Sequence, residues 1–125
     1  MSLEHLETHL KRAVETCRDG ISCALLDGEG FAVACWPAQD EDTARLVELG
    51  LDFASFLQSI TTTASDGTEF DELALVGGAR RISALKLPGG YVLMLLAGAE
   101  GISGQGRFVL RKCASSISPF LLREL

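Results

Sequence analysis

The sequence predicts a single α+β domain with its elements in the order α-β-β-α-β-β-β-α. Three observations carry that expectation. Apolar residues recur at helical spacing near both ends and through a long central stretch. Five short apolar runs lie between these stretches. The turns within them are marked by Asp27-Gly28-Glu29-Gly30, Gly77-Gly78 and Pro88-Gly89-Gly90. A chain of 125 residues suits one domain, 1–125, and contains no repeat, linker or low-complexity segment.

The first helix is expected over Ser2–Asp19. Leu3, Leu6, Leu10, Val14 and Cys17 make its stripe, Ser2 caps it and Gly20 ends it. Two strands follow, Ile21–Leu26 and Phe31–Trp36, joined by the Asp27–Gly30 turn; Pro37 stops the second. The central helix spans Asp40–Ala64, with Asp40, Glu41 and Asp42 at its positive end and Ala64-Ser65-Asp66-Gly67 beyond. Three further strands are expected at Glu69–Val76, Arg81–Leu87 and Tyr91–Ala97. The last has no alternation, which predicts a central strand covered on both faces. Residues Gln105–Leu125 close the chain as a helix. Its buried stripe is Val109, Leu110, Cys113, Ala114, Ile117, Phe120 and Leu121, with Pro119 opposite as the site of a kink.

Composition excludes some functions. A hydrophobic fraction of 47% against 22% charged residues suits a soluble globule and not a disordered chain. A net charge of −6 opposes binding to nucleic acid or to an anionic membrane surface. No apolar run approaches the ~20 residues of a membrane span, and MSLEHLETHLKR is unlike a signal peptide. The four cysteines show no CxxC spacing, so a cytoplasmic protein with reduced thiols is expected.

The central helix demands more cover than one sheet supplies. On a wheel of about 100° per residue, Leu46, Leu49, Phe53, Phe56, Leu57 and Ile60 form one apolar face. Val47, Gly50, Leu51, Ala54 and Thr61 extend the non-polar arc to roughly 220°. A helix lying on one sheet needs about 100° or a little more. The strand beside it, Leu73-Ala74-Leu75-Val76, is uncharged and lacks proline; at a sheet edge it would pair with another chain. Together these features predict a two-fold homodimer through Val47, Gly50, Leu51 and Ala54 on the helix and Leu73, Ala74, Leu75 and Val76 on the strand.

Candidates for chemistry fall short. His5 and His9 sit four apart, a metal-pair spacing, but no third ligand accompanies them. The loop from Gly98 to Arg107 resembles a phosphate-binding turn, yet Arg107 and Phe108 stand where that motif needs Lys and Ser/Thr. In a symmetric hairpin residue 23 faces 34 and 35 faces 22, so Cys23 and Cys35 point to opposite sheet faces. Glu69, Asp71 and Glu72 read as a solvated strand entrance rather than a catalytic pair. No catalytic, cofactor or metal residue is therefore expected. Phe108 and Leu122, off the buried stripe and near Arg111, form a candidate partner patch.

ALLDGEGFAVA, a long helix and then LALVGGARRISALKLPGGYVLMLLAGAEGISGQGRFVLRKCASSI resemble a Roadblock/dynein light chain (LC7) domain from about Ile21 to Leu122. The resemblance implies a profilin-like fold: a five-stranded antiparallel sheet flanked by helices, with Glu69–Gly77 at its edge. It implies dimers that join those edges and pair the central helices. Members of the family act as scaffolds or regulators of small Ras-like GTPases, a bacterial gliding-motility regulator among them, or as dynein subunits. A non-enzymatic signalling scaffold with a GTPase partner is the implied function, and no residue role is carried over. Strand and helix composition alone also fits a small-ligand sensory module of the PAS-like kind.

Overall fold

The computed structural model describes residues 3–63, 71–98 and 104–124. In chain order it contains α1 (Leu3–Thr16), β1 (Gly20–Leu26), β2 (Ala32–Trp36), α2 (Glu41–Thr63), β3 (Glu72–Val76), β4 (Arg80–Lys86), β5 (Val92–Gly98) and α3 (Gln105–Glu124). A short 3-10 turn, Pro88–Gly90, links β4 to β5. The strands form one sheet in the order β2-β1-β5-β4-β3, every neighbouring pair antiparallel. The expected element order and the five-stranded sheet are both present. The helix stop at Ala64–Gly67 and the first residues of the expected third strand lie outside the described residues.

β5 is central, and Val92 through Ala97 are all buried, as a run without alternation requires. On one face α1 and α3 pack together over the sheet. Leu6, Leu10 and Val14 of α1, and Cys17 just beyond it, meet the α3 stripe predicted from the sequence, every residue of which is buried. Leu3 is the exception on α1, more than half exposed, so the stripe begins at Leu6. Pro119 lies within α3 and is exposed.

The end of α1 differs from expectation. The left-handed residue there is Asp19 (φ 61°), and Gly20 opens β1. Gly20 serves close approach instead: a Cβ on it would stand 2.1 Å from the Val14 carbonyl oxygen. The β1–β2 turn is held by Asp27, whose Oδ1 accepts from the Glu29 and Phe31 amides at 2.9 and 3.0 Å. The β1–β2 pairing is offset by two residues from a symmetric hairpin, one of them at a bulge between Leu25 and Leu26, so Ala24 pairs with Cys35. An even offset preserves the face of each side chain, and Cys23 and Cys35 still point to opposite layers.

α2 covers the other face. Asp40 caps it, its Oδ1 accepting from the Asp42 amide at 2.8 Å. Among the described side chains of α2, Thr43, Leu46, Gly50 and Phe53 are buried, at spacings of three, four and three. Gly50 lets the helix sit directly on β1, since a Cβ there would come within 1.9 Å of Leu26 Cδ1. α2 rests on β1, and to a lesser extent on β5 and β2. The β4 and β3 end of that sheet face lies beyond it.

Candidate interaction surface

The geometry that distinguishes this fold is an open edge beside an uncovered half-face. β3 occupies one end of the sheet and pairs with β4, its register running from Glu72 opposite Leu85 to Val76 opposite Arg81. Side chains alternate across the strand. Leu73 and Leu75 therefore share the α2 face with Ala84 and Ile82, while Ala74 and Val76 share the α1/α3 face with Ser83 and Arg81. Leu75 is 48% exposed and Val76 74%, an unusual state for aliphatic strand residues without flanking charge.

Between this strand and α2 runs an apolar trough. One stretch, about 360 Å³, is lined by Leu49, Asp52, Phe53, Phe56, Leu73 and Leu75. It continues past Leu46, Ile82 and Leu96 as a second stretch of about 410 Å³. That stretch is bounded by an ion pair from Arg80 on β4 to Asp42 at the start of α2, at 2.5 Å. Leu49 (38% exposed) and Phe56 (49% exposed) overhang the trough. With Leu75 on the same face they leave the equivalent of more than one whole apolar residue uncovered, side by side.

The strand half of the predicted dimer surface is thus brought to an open edge: Ala74, Leu75 and Val76 are exposed and Leu73 is half-buried. On the helix half, Gly50 is buried against Leu26 within the subunit. Leu51 is exposed, but on the flank toward the β1–β2 turn, where its Cα would lie 2.7 Å from a Cβ on Gly30. Val47 and Ala54, four before and three after it, share that flank and are half-buried. The residues turned to the edge strand are Leu49, Asp52 and Phe56. Leu49 and Phe56 were expected against the sheet; their spacing of seven, matched to exposed Leu75, is the signal that identifies them afterwards.

The patch predicted on α3 divides as well. Phe108 is 68% exposed. Arg111 turns the other way and, with Arg107 at 2.8 Å, donates to the Glu72 carboxylate on β3. The side chain of Leu122 lies outside the described residues. The hydrogen bond from Arg111 is the largest influence on Glu72, followed by a smaller opposing effect of partial burial and the contact with Arg107. The net effect holds the Glu72 carboxyl below the ordinary carboxylate range.

The described residues contain no group of three metal-ligating side chains. Cys17, Cys23, Cys35 and Cys113 are free thiols. Burial pushes Cys23 well up and Cys113 to about 11, which leaves both protonated and unreactive. Asp71 is exposed and Glu72 is engaged by two guanidinium groups; Glu69 lies outside the described residues. The glycine-rich turn before α3 is described from Gly104 onward, where Gly104 has φ 90° and accepts from the Phe108 amide. No described helix is long and apolar enough to cross a membrane.

By sequence, neither protein-family models nor curated proteins give a match. By structure, the chain is similar to several solved proteins at low identity. A Roadblock/LC7 domain from Streptomyces avermitilis superposes with a TM-score of 0.79 at 16% identity, over 93% of this chain and 97% of that one. Myxococcus xanthus MglB gives 0.82 at 14%, over 98% of each chain. A structure described as MglB with tetrameric arrangement gives 0.85 at 17%, over 98% and 92%. The strand order, the helices on both faces and these superpositions together give one result: the chain has the Roadblock/LC7 fold.

Proposed function

We propose that this chain is a Roadblock/LC7 family member that works in the cytoplasm as a non-enzymatic homodimeric scaffold, binding a small Ras-like GTPase and biasing its nucleotide state. The observation that carries the proposal is the open β3 edge beside an apolar trough that α2 leaves uncovered. Two copies related by a two-fold axis would pair β3 with β3 and bring Leu49 and Phe56 of each α2 into the other's trough. The tetrameric arrangement of a fold neighbour supports a tendency to assemble. A further neighbour is a gliding protein, MglB, from Thermus thermophilus. Four free thiols, three of them buried, suit a reducing compartment.

Regulation by such a scaffold requires no catalytic side chain. It requires differential affinity for the two switch states, and a tenfold preference corresponds to about 1.4 kcal/mol. The space between the sheet and the α1/α3 layer is filled by wholly buried aliphatic residues such as Leu6, Leu10, Leu25, Leu93 and Ile117, and the trough beside α2 is open and apolar. This filling favours a scaffold over a PAS-like ligand module, which needs an enclosed pocket with a few placed polar groups.

The test is interferometry on the immobilised chain with Ras-like GTPases of the source cell, each loaded with GDP or a non-hydrolysable GTP analogue. The expected result is at least a tenfold preference for one state of one GTPase. Equal affinity for both states, or no binding together with unchanged GTP turnover on mixing, would overturn the proposal.

A further inference from the structure

A second surface lies on the opposite side of the sheet, and its chemistry differs. Between α1 and α3 runs a shallow groove of about 100 Å³ with Ala13, Val109 and Cys113 at its floor. Phe108 projects at its rim, two-thirds exposed, and His9, Arg12 and Lys112 border it.

Helical spacing segregates charge around this groove. On a wheel of about 100° per residue, Glu4, Glu7 and Glu15 of α1 fall at least about 110° away from the groove-lining side. α3 carries no acid from Gln105 to Leu121. Arg107 and Arg111 point to the other flank, where they share the one carboxylate of Glu72. Arg12 and Lys112 make no ion pair among the described residues. The local field is positive: after burial, Arg12 and His5 are the causes that lower the basicity of His9. On a chain of net charge −6 this groove is a basic exception, with an apolar floor and an aromatic rim.

We propose that the α1/α3 groove docks an acidic segment of a partner protein that carries an apolar anchor. The anchor would rest on Ala13 and Val109 against the Phe108 ring, and its flanking carboxylates would meet Arg12 and Lys112. Other occupants fit less well. Anionic lipid surfaces are recognised by clusters of about four to eight basic residues, and two uncompensated cations fall short. Nucleic acid needs a broader basic footprint. A second copy docked groove to groove would set Arg12 and Lys112 against the same cations of its twin.

The proposal does not depend on the β3 edge, and one set of variants separates the two. The probe is a phage-displayed random peptide library, selected on the full chain and counter-selected on the Phe108→Ser/Lys112→Glu variant. Recovered sequences should hold acidic residues around a Leu, Phe or Trp. A recovered peptide should bind at least tenfold more weakly, by fluorescence anisotropy, to Phe108→Ser and to Arg12→Glu/Lys112→Glu. It should bind Leu75→Asp/Val76→Asp as it does the parent. These positions are exposed, and unchanged circular dichroism would show that the variants fold. Recovery of no peptide or of basic ones, or binding indifferent to the groove variants, would refute the proposal. So would groove variants that abolish binding to phosphatidylserine vesicles, or that change the sedimenting mass of the chain.

Discussion

The edge-joined dimer makes a quantitative demand on Leu75 and Val76. Replacing both with aspartate places charge on both faces of β3, because neighbouring strand residues point to opposite sides. Within the subunit the change is mild, since both side chains are exposed and exposed substitutions alter stability by about 0.5 kcal/mol or less. Across a two-fold axis it is severe. At 48% and 74% exposure the two residues offer about 1.2 side chains of new burial per copy. At roughly 1.5–3 kcal/mol for a fully buried aliphatic side chain, a dimer forfeits about 4–7 kcal/mol. Four new carboxylates would also join the two of Glu72 along a five-residue ladder, adding like-charge repulsion. At 1.4 kcal/mol per decade, the dimer dissociation constant rises about a thousandfold or more. Sedimentation velocity at micromolar concentration should show a dimer for the parent and a monomer for the variant, with the same thermal melt once dissociation is allowed for. A variant that sediments as the parent dimer, or a parent that is itself monomeric, refutes the edge-joining reasoning.

The two flanks of α2 should behave differently. Phe56→Ser should weaken self-association by about tenfold or more in the same experiment, whereas Leu51→Ser, on the flank facing Gly30, should leave it nearly unchanged. Gly50→Ala should lower subunit stability by about 1–3 kcal/mol in urea unfolding, because its methyl group overlaps Leu26. Gly20→Ala should cost at least as much; there the clash is with backbone, which yields less than a leucine tip. Glu72 has a folded pKa below its unfolded value, so the unfolded chain binds more protons as the pH falls below about 4.5. Its stabilising effect is therefore present at neutral pH and is lost as pH falls through the lowered value. Glu72→Gln should reduce the acid-side slope of stability against pH, by about 1 kcal/mol or less for so exposed a pair.

Legibility in the sequence followed how narrow each apolar stripe was. α3 has a stripe of limited width with cations and serines outside it, and every residue assigned to its buried face is buried. β5, with no alternation, could only be central. α2 was different: an apolar arc of roughly 220° shows that the helix has two burial demands but leaves its rotation open. Side-chain size pointed Leu49 and Phe56 inward, whereas the helix approaches β1 so closely that small residues, Thr43 and Gly50, fill the contact. Leu49 and Phe56 are displaced to the rim, while Leu46 and Phe53 stay inward. The α1 terminus misled for a related reason, since glycine can mark steric closeness as well as a left-handed turn, and at Gly20 it marks closeness. The β1–β2 bulge left no local sign, yet it did no harm to the assignment of faces. Phe108 and Arg111 lie on different flanks of α3, which becomes visible once Glu72 is placed.

The strand order also bears on stoichiometry. The sheet ends in two unlike borders: β3, which is apolar and flat, and β2, which is interrupted by the extra residue at Val33 and closed by Pro37. If β3 meets its own twin, the contact uses the same surface on both copies and exhausts it. What remains outward on either side is the blunted border. Growth would halt at a ten-stranded sheet with no tendency to propagate into a filament, and each finished particle would present its two basic grooves on the side away from the paired helices.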